Sequence, residues 1–200
     1  MQTQQRGSSD LTENEVDEQL QRFSLTELQT SDEKGYTALL KACSLPSMSP
    51  HVMQYLITTR RVDLNCQLPP DFDTNHPTAK KLVPGMFALS VAIRGGNVKS
   101  VPTFMTRPLE IDVRSKDRDG NTALHHCVLS VSKVSFKKIF PLYKPLEWKE
   151  MRNNEGQKGK NPLDICDGLE TELKESNKEK KENLLNTLAY MRQEMEKVSA

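Results

Sequence analysis

The sequence predicts an all-α fold, a solenoid in which helix–turn–helix units stack one after another. Two observations predict it. A short pattern of glycine, leucine and a small residue recurs four times at intervals of 50, 35 and 39 residues, which corresponds to a period of about 33 residues with insertions. A second apolar segment follows each of the first three copies. Units of this length cannot bury a core singly, so neighbouring units must stack.

Each position of the pattern has a physical reason. Glycine adopts turn conformations that are costly for residues with a Cβ atom. The leucine and the small residue three positions later share one helix face, so a neighbouring helix can approach closely. Thr37 and Thr122 are suited to cap a helix, and Pro162 suits a first helical turn. The copies are Gly35, Leu39 and Ala42; Gly85, Leu89 and Ala92; Gly120, Leu124 and Cys127; and Gly159, Leu163 and Cys166.

The second helix of each unit is predicted from the apolar segments "HVMQYLI" (51–57), "VKSVPTFM" (98–105) and "SFKKIFPLY" (135–143). Short stretches, "VDLN" (62–65) and "IDVR" (111–114), lead from the first two segments towards the next turn.

The third copy, "DRDGNTALHHC" (117–127), carries a resemblance to a known family. It is similar to the D-x-x-G-x-T-P-L-H-x-A signature of ankyrin repeats, with Ala123 where proline is usual. The first copy has Leu40 in the histidine position, and the other two copies diverge further. The resemblance covers roughly residues 13–167 and implies β-hairpin-like fingers between the helix pairs. It also implies that His125 hydrogen-bonds backbone and the threonine hydroxyl to stabilise the turn.

The chain divides into three parts on this interpretation. Residues 1–12 are expected to be disordered, 13–167 to form the ankyrin repeat domain, and 168–200 to form a C-terminal amphipathic helix. Within the domain we expect a half repeat at residues 13–30 and four repeats at about 31–67, 84–115, 116–150 and 151–167. An inserted loop at 68–83 separates the first repeat from the second. The half repeat would serve as a polar cap, with Val16, Leu20 and Phe23 at helical spacing.

The inserted loop contains prolines that prevent a regular helix or a central strand. Two interpretations remain open: a loop that contacts a partner, or a surface insertion without a role. On the first, the loop presents Phe72, Asp73, His76, Lys80 and Lys81.

The tail is rich in helix-forming residues, and its apolar side chains recur at the spacing of a coiled-coil seam. The seam fails upstream at Asn177 and Lys180. The tail is therefore either a cap on the last repeat or a surface for self-association or partner binding. The apolar stripe consists of Leu184, Leu188, Met191, Met195 and Val198.

The cluster of His125, His126 and Cys127 invites a metal or catalytic interpretation. Consecutive helix residues point about 100° apart, so the three side chains cannot converge on one ion. His125 and Cys127 fall at structural positions of the repeat, and His126 is expected on the helix surface. We therefore predict no metal, no cofactor and no enzymatic activity.

Charge and cysteine content bound the cellular setting. The net charge of +1 gives no electrostatic argument for nucleic acid or an anionic membrane. No apolar stretch approaches the length of a membrane span, and the N-terminus does not have the pattern of a secretory signal. The four scattered cysteines favour a reducing, cytoplasmic compartment.

These expectations favour a non-catalytic module that binds a protein partner through its concave face and fingers. Two alternatives stay open: a secreted bacterial or viral effector acting in the host cytosol, suggested by Glu194, Glu196 and Val198, and an IκB-like ankyrin inhibitor that masks a site on its partner. The candidate contact residues are Lys41, Phe72, Asp73, His76, Lys80, Lys81, Arg94, Arg118, Asn121 and His126.

Overall fold

The computed structural model describes residues 18–74, 81–144, 147–156, 158–175 and 181–198. Within these ranges the chain is mostly helical and contains no strand, so the all-α prediction is confirmed there. The one β interaction reported for these residues is an isolated antiparallel bridge between Gln67 and Phe87. Nowhere in the same ranges does a helix combine the length and the apolar character needed to cross a membrane. The expected disordered segment (1–12) lies outside the described residues.

Short helices follow one another along the chain. Several continue into a 3-10 or π turn, and residues 18–21 form a helical turn ahead of the first. The helices are α1 (Leu25–Gln29), α2 (Ala38–Ser44), α3 (Pro50–Gln54, continued by a π turn at Tyr55–Thr59), α4 (Ala88–Gly95), α5 (Val101–Phe104, after a 3-10 turn at Val98–Ser100), α6 (Ala123–Leu129), α7 (Lys133–Ile139, continued by a 3-10 turn at Phe140–Leu142), α8 (Glu147–Glu150), α9 (Pro162–Glu175) and α10 (Lys181–Lys197). A further 3-10 turn covers Pro108–Glu110.

The helices form two rows. In the first row α2 packs on α4, α4 on α6, and α6 on α9; in the second, α3 packs on α5, α5 on α7, and α7 on α10. The core lies between the rows. Leu39, Leu89 and Leu124 are buried in it, whereas Leu163 is half-buried. The small residue of each copy is buried, as close helix packing requires (Ala42, Ala92, Cys127 and Cys166).

Four turns lead into α2, α4, α6 and α9, and we call them the first to fourth fingers (residues 32–36, 68–86, 117–121 and 153–160, of which 75–80 and 157 are not described). The predicted glycines all have positive φ: +81° at Gly35, +78° at Gly85 and Gly120, and +66° at Gly159. The first, third and fourth fingers each begin with a side-chain oxygen that accepts two backbone N–H bonds. In the first finger the N–H groups of Lys34 and Tyr36 donate to Asp32 Oδ1, both at 2.9 Å. In the third, those of Asp119 and Asn121 donate to Asp117 Oδ1 at 3.0 and 2.9 Å. In the fourth, those of Glu155 and Lys160 donate to Asn153 Oδ1 at 3.1 and 2.8 Å.

The inserted segment lies inside the second finger. The Leu68 N–H donates to the Met86 carbonyl and the Gly85 N–H donates to the Leu68 carbonyl, both at 2.9 Å. Asp32 makes the same two backbone bonds within the first finger, each also 2.9 Å long. Leu68 therefore takes the place of Asp32, and the described residues of the expected inserted loop (68–74 and 81–83) belong to the finger itself. The finger grows longer while the start of α4 keeps its position.

The N-terminal cap is built from two short pieces. Ser24 interrupts the helix because its hydroxyl accepts the Glu27 N–H at 3.2 Å and starts α1. Phe23 is consequently 49% exposed, so the expected continuous face of Leu20 and Phe23 is wrong. Arg60 fastens this cap to the first unit by donating to the Leu20 and Phe23 carbonyls at 3.1 and 2.6 Å. Val16 lies outside the described residues.

The C-terminal helix packs back on the last units. The side chains of Leu188, Met191 and Met195 are fully buried and Leu184 is half-buried. Arg192 on α10 pairs with Glu170 on α9 at 3.0 Å. Three of the five residues of the apolar stripe are thus buried within the chain, which favours the cap over the alternative of self-association.

A glycine pair tests the finger geometry. Replacing Gly120 by alanine places a Cβ 2.9 Å from the Asn154 backbone nitrogen at positive φ, so we expect a loss of about 1–3 kcal/mol in unfolding free energy. Gly168, inside α9, has no neighbour within 4 Å of a Cβ, so Gly168→Ala should gain about 0.5–1 kcal/mol. Urea denaturation measures both, and equal effects of the two changes would contradict the finger geometry.

The C-terminal cap makes a second prediction. Leu188→Ala should lower the unfolding free energy by about 2–5 kcal/mol because it leaves a cavity between α10 and its neighbours. Val198→Ala, at a side chain that is 40% exposed, is the control and should change it little. Sedimentation velocity should give the same mass for both variants and the wild type; a mass that falls only in Leu188→Ala would mean that the stripe joins two chains.

Candidate binding surface

The finger tips carry exposed polar side chains. Exposed tip residues are Glu33 and Lys34 on the first finger, Arg118 and Asp119 on the third, and Asn154 and Glu155 on the fourth. Backbone bonds join the second, third and fourth fingers: the Arg118 N–H donates to the Pro84 carbonyl at 3.1 Å, and the Asn154 N–H donates to the Asp119 carbonyl at 2.8 Å. These three fingers are therefore fixed relative to one another, which lowers the entropy lost when a partner binds.

His125 fastens the third finger to the fourth. Its Nδ1 accepts the Thr122 N–H at 3.2 Å and lies 2.9 Å from the Thr122 hydroxyl, while Nε2 lies 3.1 Å from the Lys160 carbonyl. This pattern requires the neutral tautomer with the proton on Nε2, which then donates to that carbonyl. Burial lowers the pKa of His125 to about 4, so the ring stays neutral at physiological pH.

The expectation that His126 faces solvent is wrong. Its side chain is 1% exposed, and Nε2 lies 2.9 Å from the Oδ2 atom of Asp117, which is equally buried. Burial lowers the pKa of His126, and Nδ1 has no hydrogen-bond partner within the described part of the chain. Spacing could not reveal this contact, because it depends on the turn that directs the Asp117 carboxylate inward.

Two further contact candidates are also buried. Asn121 is 7% exposed, and its Oδ1 accepts from Asn153 Nδ2 at 3.0 Å, which joins the third and fourth fingers. Phe72 is 7% exposed and packs edge-on against Tyr36, with ring centroids 5.3 Å apart. The expectation that these side chains are free for a partner is therefore wrong.

The inserted segment is anchored to its neighbours. Pro69 lies against the backbone of Gly35, and Leu82 is 3% exposed. Asp73 and Lys81 are exposed, as a contact surface needs. His76 and Lys80 lie outside the described residues. The segment is thus part of the folded unit at its two ends, which neither initial interpretation anticipated.

The remaining predicted contact residues differ in how far their side chains are exposed. Lys41 is exposed, with its Nζ 4.9 Å from the centroid of the Tyr36 ring. Arg94 is half-buried, and one of its terminal nitrogens donates to the Leu129 carbonyl at 3.2 Å, which ties α4 to α6. Burial lowers the pKa of Arg94, and its first role is structural. Arg118 is 63% exposed and is the most accessible cation of the third finger.

Among the clefts that open between the described parts of the fingers, two are of similar size. One, of about 480 Å³, lies beside Tyr36 and Phe72 and is lined by four carboxylates and one lysine (Asp32, Glu33, Asp71, Asp73 and Lys34). The other, of about 470 Å³, lies between the second and third fingers, where prolines meet Lys116 and Arg118. Sequence reasoning missed Lys116; its position directly before the finger aspartate was the available signal.

The four cysteine thiols are poor nucleophiles. Burial raises the pKa of the Cys66 thiol to about 11 and that of Cys166 to about 12, and it raises those of Cys43 and Cys127 as well. A thiol must ionise to act as a nucleophile, so none of the four is activated. Among the described residues, no group of three or more metal-binding side chains comes together.

No family model matches the chain, and the search of curated proteins finds no match.

The two buried histidines predict a pH dependence. An unfolded imidazole titrates near pH 6.5, so as pH falls from 6.5 towards 4 the unfolded state takes up protons that the folded state does not. Stability should be complete above about pH 6.5 and should decline below it. The unfolding free energy, measured with urea and Trp148 fluorescence at pH 7, 6 and 5, should therefore fall.

The His125→Gln variant isolates one contribution. It should be less stable at pH 7 but should lose less stability between pH 7 and 5. Of the two buried histidines, His126 alone then contributes to the pH dependence of the unfolding free energy. This range keeps most carboxylates ionised. An unchanged slope in the variant would mean that His125 does not titrate in this window.

Proposed function

We propose that the chain is an ankyrin-type repeat protein that acts as a non-catalytic binding module and holds a protein partner along its finger tips. One observation carries the proposal: the fingers use their turn-forming polar atoms internally but leave charged tip side chains exposed on a hydrogen-bonded backbone. Rigid, exposed and chemically varied tips are suited to specific recognition.

The ankyrin part of the proposal is supported by the turn chemistry and the helix arrangement. First helices pack on first helices, and second helices on second helices. The third finger combines a turn aspartate, a positive-φ glycine and the Thr122–His125 contact. In the fourth finger Asn161 and Asp164 replace this last pair: the Asp164 N–H donates to Asn161 Oδ1 at 2.9 Å, and the Asn161 N–H donates to Asp164 Oδ2 at 3.0 Å.

The non-catalytic part rests on how the reactive side chains are used. His125 and His126 are buried and each lies in hydrogen-bonding contact with a structural partner, and the cysteine pKa values are raised. All four cysteines are free thiols, which fits the proposed cytoplasmic setting.

A charge reversal at the tips tests the proposed function. Lys34→Glu combined with Arg118→Glu should strongly reduce the yield of protein partners captured from a cytosolic extract, because both side chains are exposed on fingers. Thermal stability should change little, since neither side chain supports the core. Quantitative mass spectrometry of the captured proteins measures the effect.

Lys99→Glu combined with Lys138→Glu is the matched control. Both lysines are exposed on the second row of helices, and the change in net charge is the same. This variant should keep the wild-type partners. Equal losses in both variants, or no loss in the finger variant, would contradict binding along the fingers.

A further inference from the structure

The cleft between the second and third fingers, which we call the proline cleft, has an apolar wall. It is lined by Pro69, Pro70, Pro84 and Leu68, with Lys116 and Arg118 on the opposite side. Proline has no N–H, so these three residues offer a ligand no backbone donor. The wall is therefore suited to aliphatic contact rather than to pairing with an added strand.

Several of the other backbone donors at the cleft are already used. The Leu68 N–H donates to Met86, the Gly85 N–H donates to Leu68, and the Arg118 N–H donates to Pro84, at 2.9, 2.9 and 3.1 Å. With these donors occupied, side chains are well placed to supply the polar contacts of a ligand. The cations Lys116 and Arg118 are the charged side chains that line the cleft together with Asp117.

Asp117 does not neutralise these cations at the surface. Its side chain is 1% exposed, Oδ1 accepts two turn N–H bonds, and Oδ2 lies 2.9 Å from His126 Nε2. Both carboxylate oxygens therefore point into the fold, although the residue borders the cleft. The surface of the cleft keeps a positive character.

The two cations remain available to a ligand. Lys116 Nζ donates to the Arg152 carbonyl at 2.8 Å, which holds the ammonium in place without pairing its charge. Arg118 Nε lies 3.8 Å from Asp119 Oδ1, and both side chains are more than half exposed. Such an exposed pair contributes little to stability, so an incoming carboxylate with bidentate geometry can replace it.

We propose that the proline cleft binds an acidic segment of a partner protein. An aspartate or glutamate carboxylate lies between Lys116 and Arg118, and a neighbouring aliphatic side chain packs on Pro69 and Pro70. This inference rests on the proposed function and adds the chemistry of the partner. A basic segment is disfavoured here, because it would bring like charges together.

Selection from a library of random linear heptapeptides displayed on phage, with the full chain immobilised, tests the inference. The wild type should enrich peptides in which aspartate or glutamate adjoins leucine, isoleucine or valine. Lys116→Gln combined with Arg118→Gln should abolish this enrichment. Lys99→Gln combined with Lys138→Gln, with the same change in net charge, should retain it.

An enriched peptide, labelled with fluorescein, gives the affinity by anisotropy. Amidation of its acidic residues should weaken binding at least about tenfold, as should the double variant, because each removes a charge-assisted hydrogen bond. Arg118→Gln alone should weaken binding in the same direction without affecting thermal stability, since its side chain is exposed.

Three results would overturn the inference. Enriched peptides that are neutral or basic, or acidic peptides that bind the double variant as tightly as the wild type, would remove the acidic specificity or its site while leaving finger binding intact. If no peptide is enriched and the finger charge reversal also leaves partner capture unchanged, the proposed function falls together with this inference.

Discussion

The structure depends on one local interaction, the side-chain oxygen that begins a finger and accepts two backbone N–H bonds. In the first, third and fourth fingers this contact, with a positive-φ glycine, turns the chain back so that a helix starts where the row of first helices needs it. In the third finger the same carboxylate also holds His126. A turn of a few residues thus positions both the core helices and the exposed tips.

The fold and the binding surface compete for the same polar groups. His126 and Asn121 stand at positions that look like recognition residues, yet each bonds a neighbouring finger residue. Arg94 serves the fold through one terminal nitrogen, which donates to the Leu129 carbonyl. The rest of its side chain is only half-buried and so is partly accessible to a partner. Of the predicted contact residues in the described part of the chain, Lys41, Asp73, Lys81 and Arg118 stay exposed, and all of these except Lys41 lie on a finger.

The sequence predicted the all-α character, because Gly, Leu and a small residue at fixed spacing constrain both the turn and the packed helix face. The contact between His125 and Thr122 was implied by the resemblance to ankyrin repeats, and the structure contains it. Prediction from the sequence failed where contacts join segments far apart: Phe72 packs on Tyr36 although its surroundings are proline-rich. The sequence did not decide whether the C-terminal helix caps the last repeat or binds another chain, because heptad spacing is the same for burial within a chain and between chains.

In the second finger, the number of residues does not determine the position at which α4 begins. Its two backbone bonds, from Leu68 to Met86 and from Gly85 to Leu68, close the finger whatever number of residues lies between them. The cost of a longer closed loop rises only slowly with its length. This finger is consequently a natural insertion point for protein engineering: a foreign epitope placed between the anchors Phe72 and Leu82 would be displayed beside the proline cleft without shifting α4.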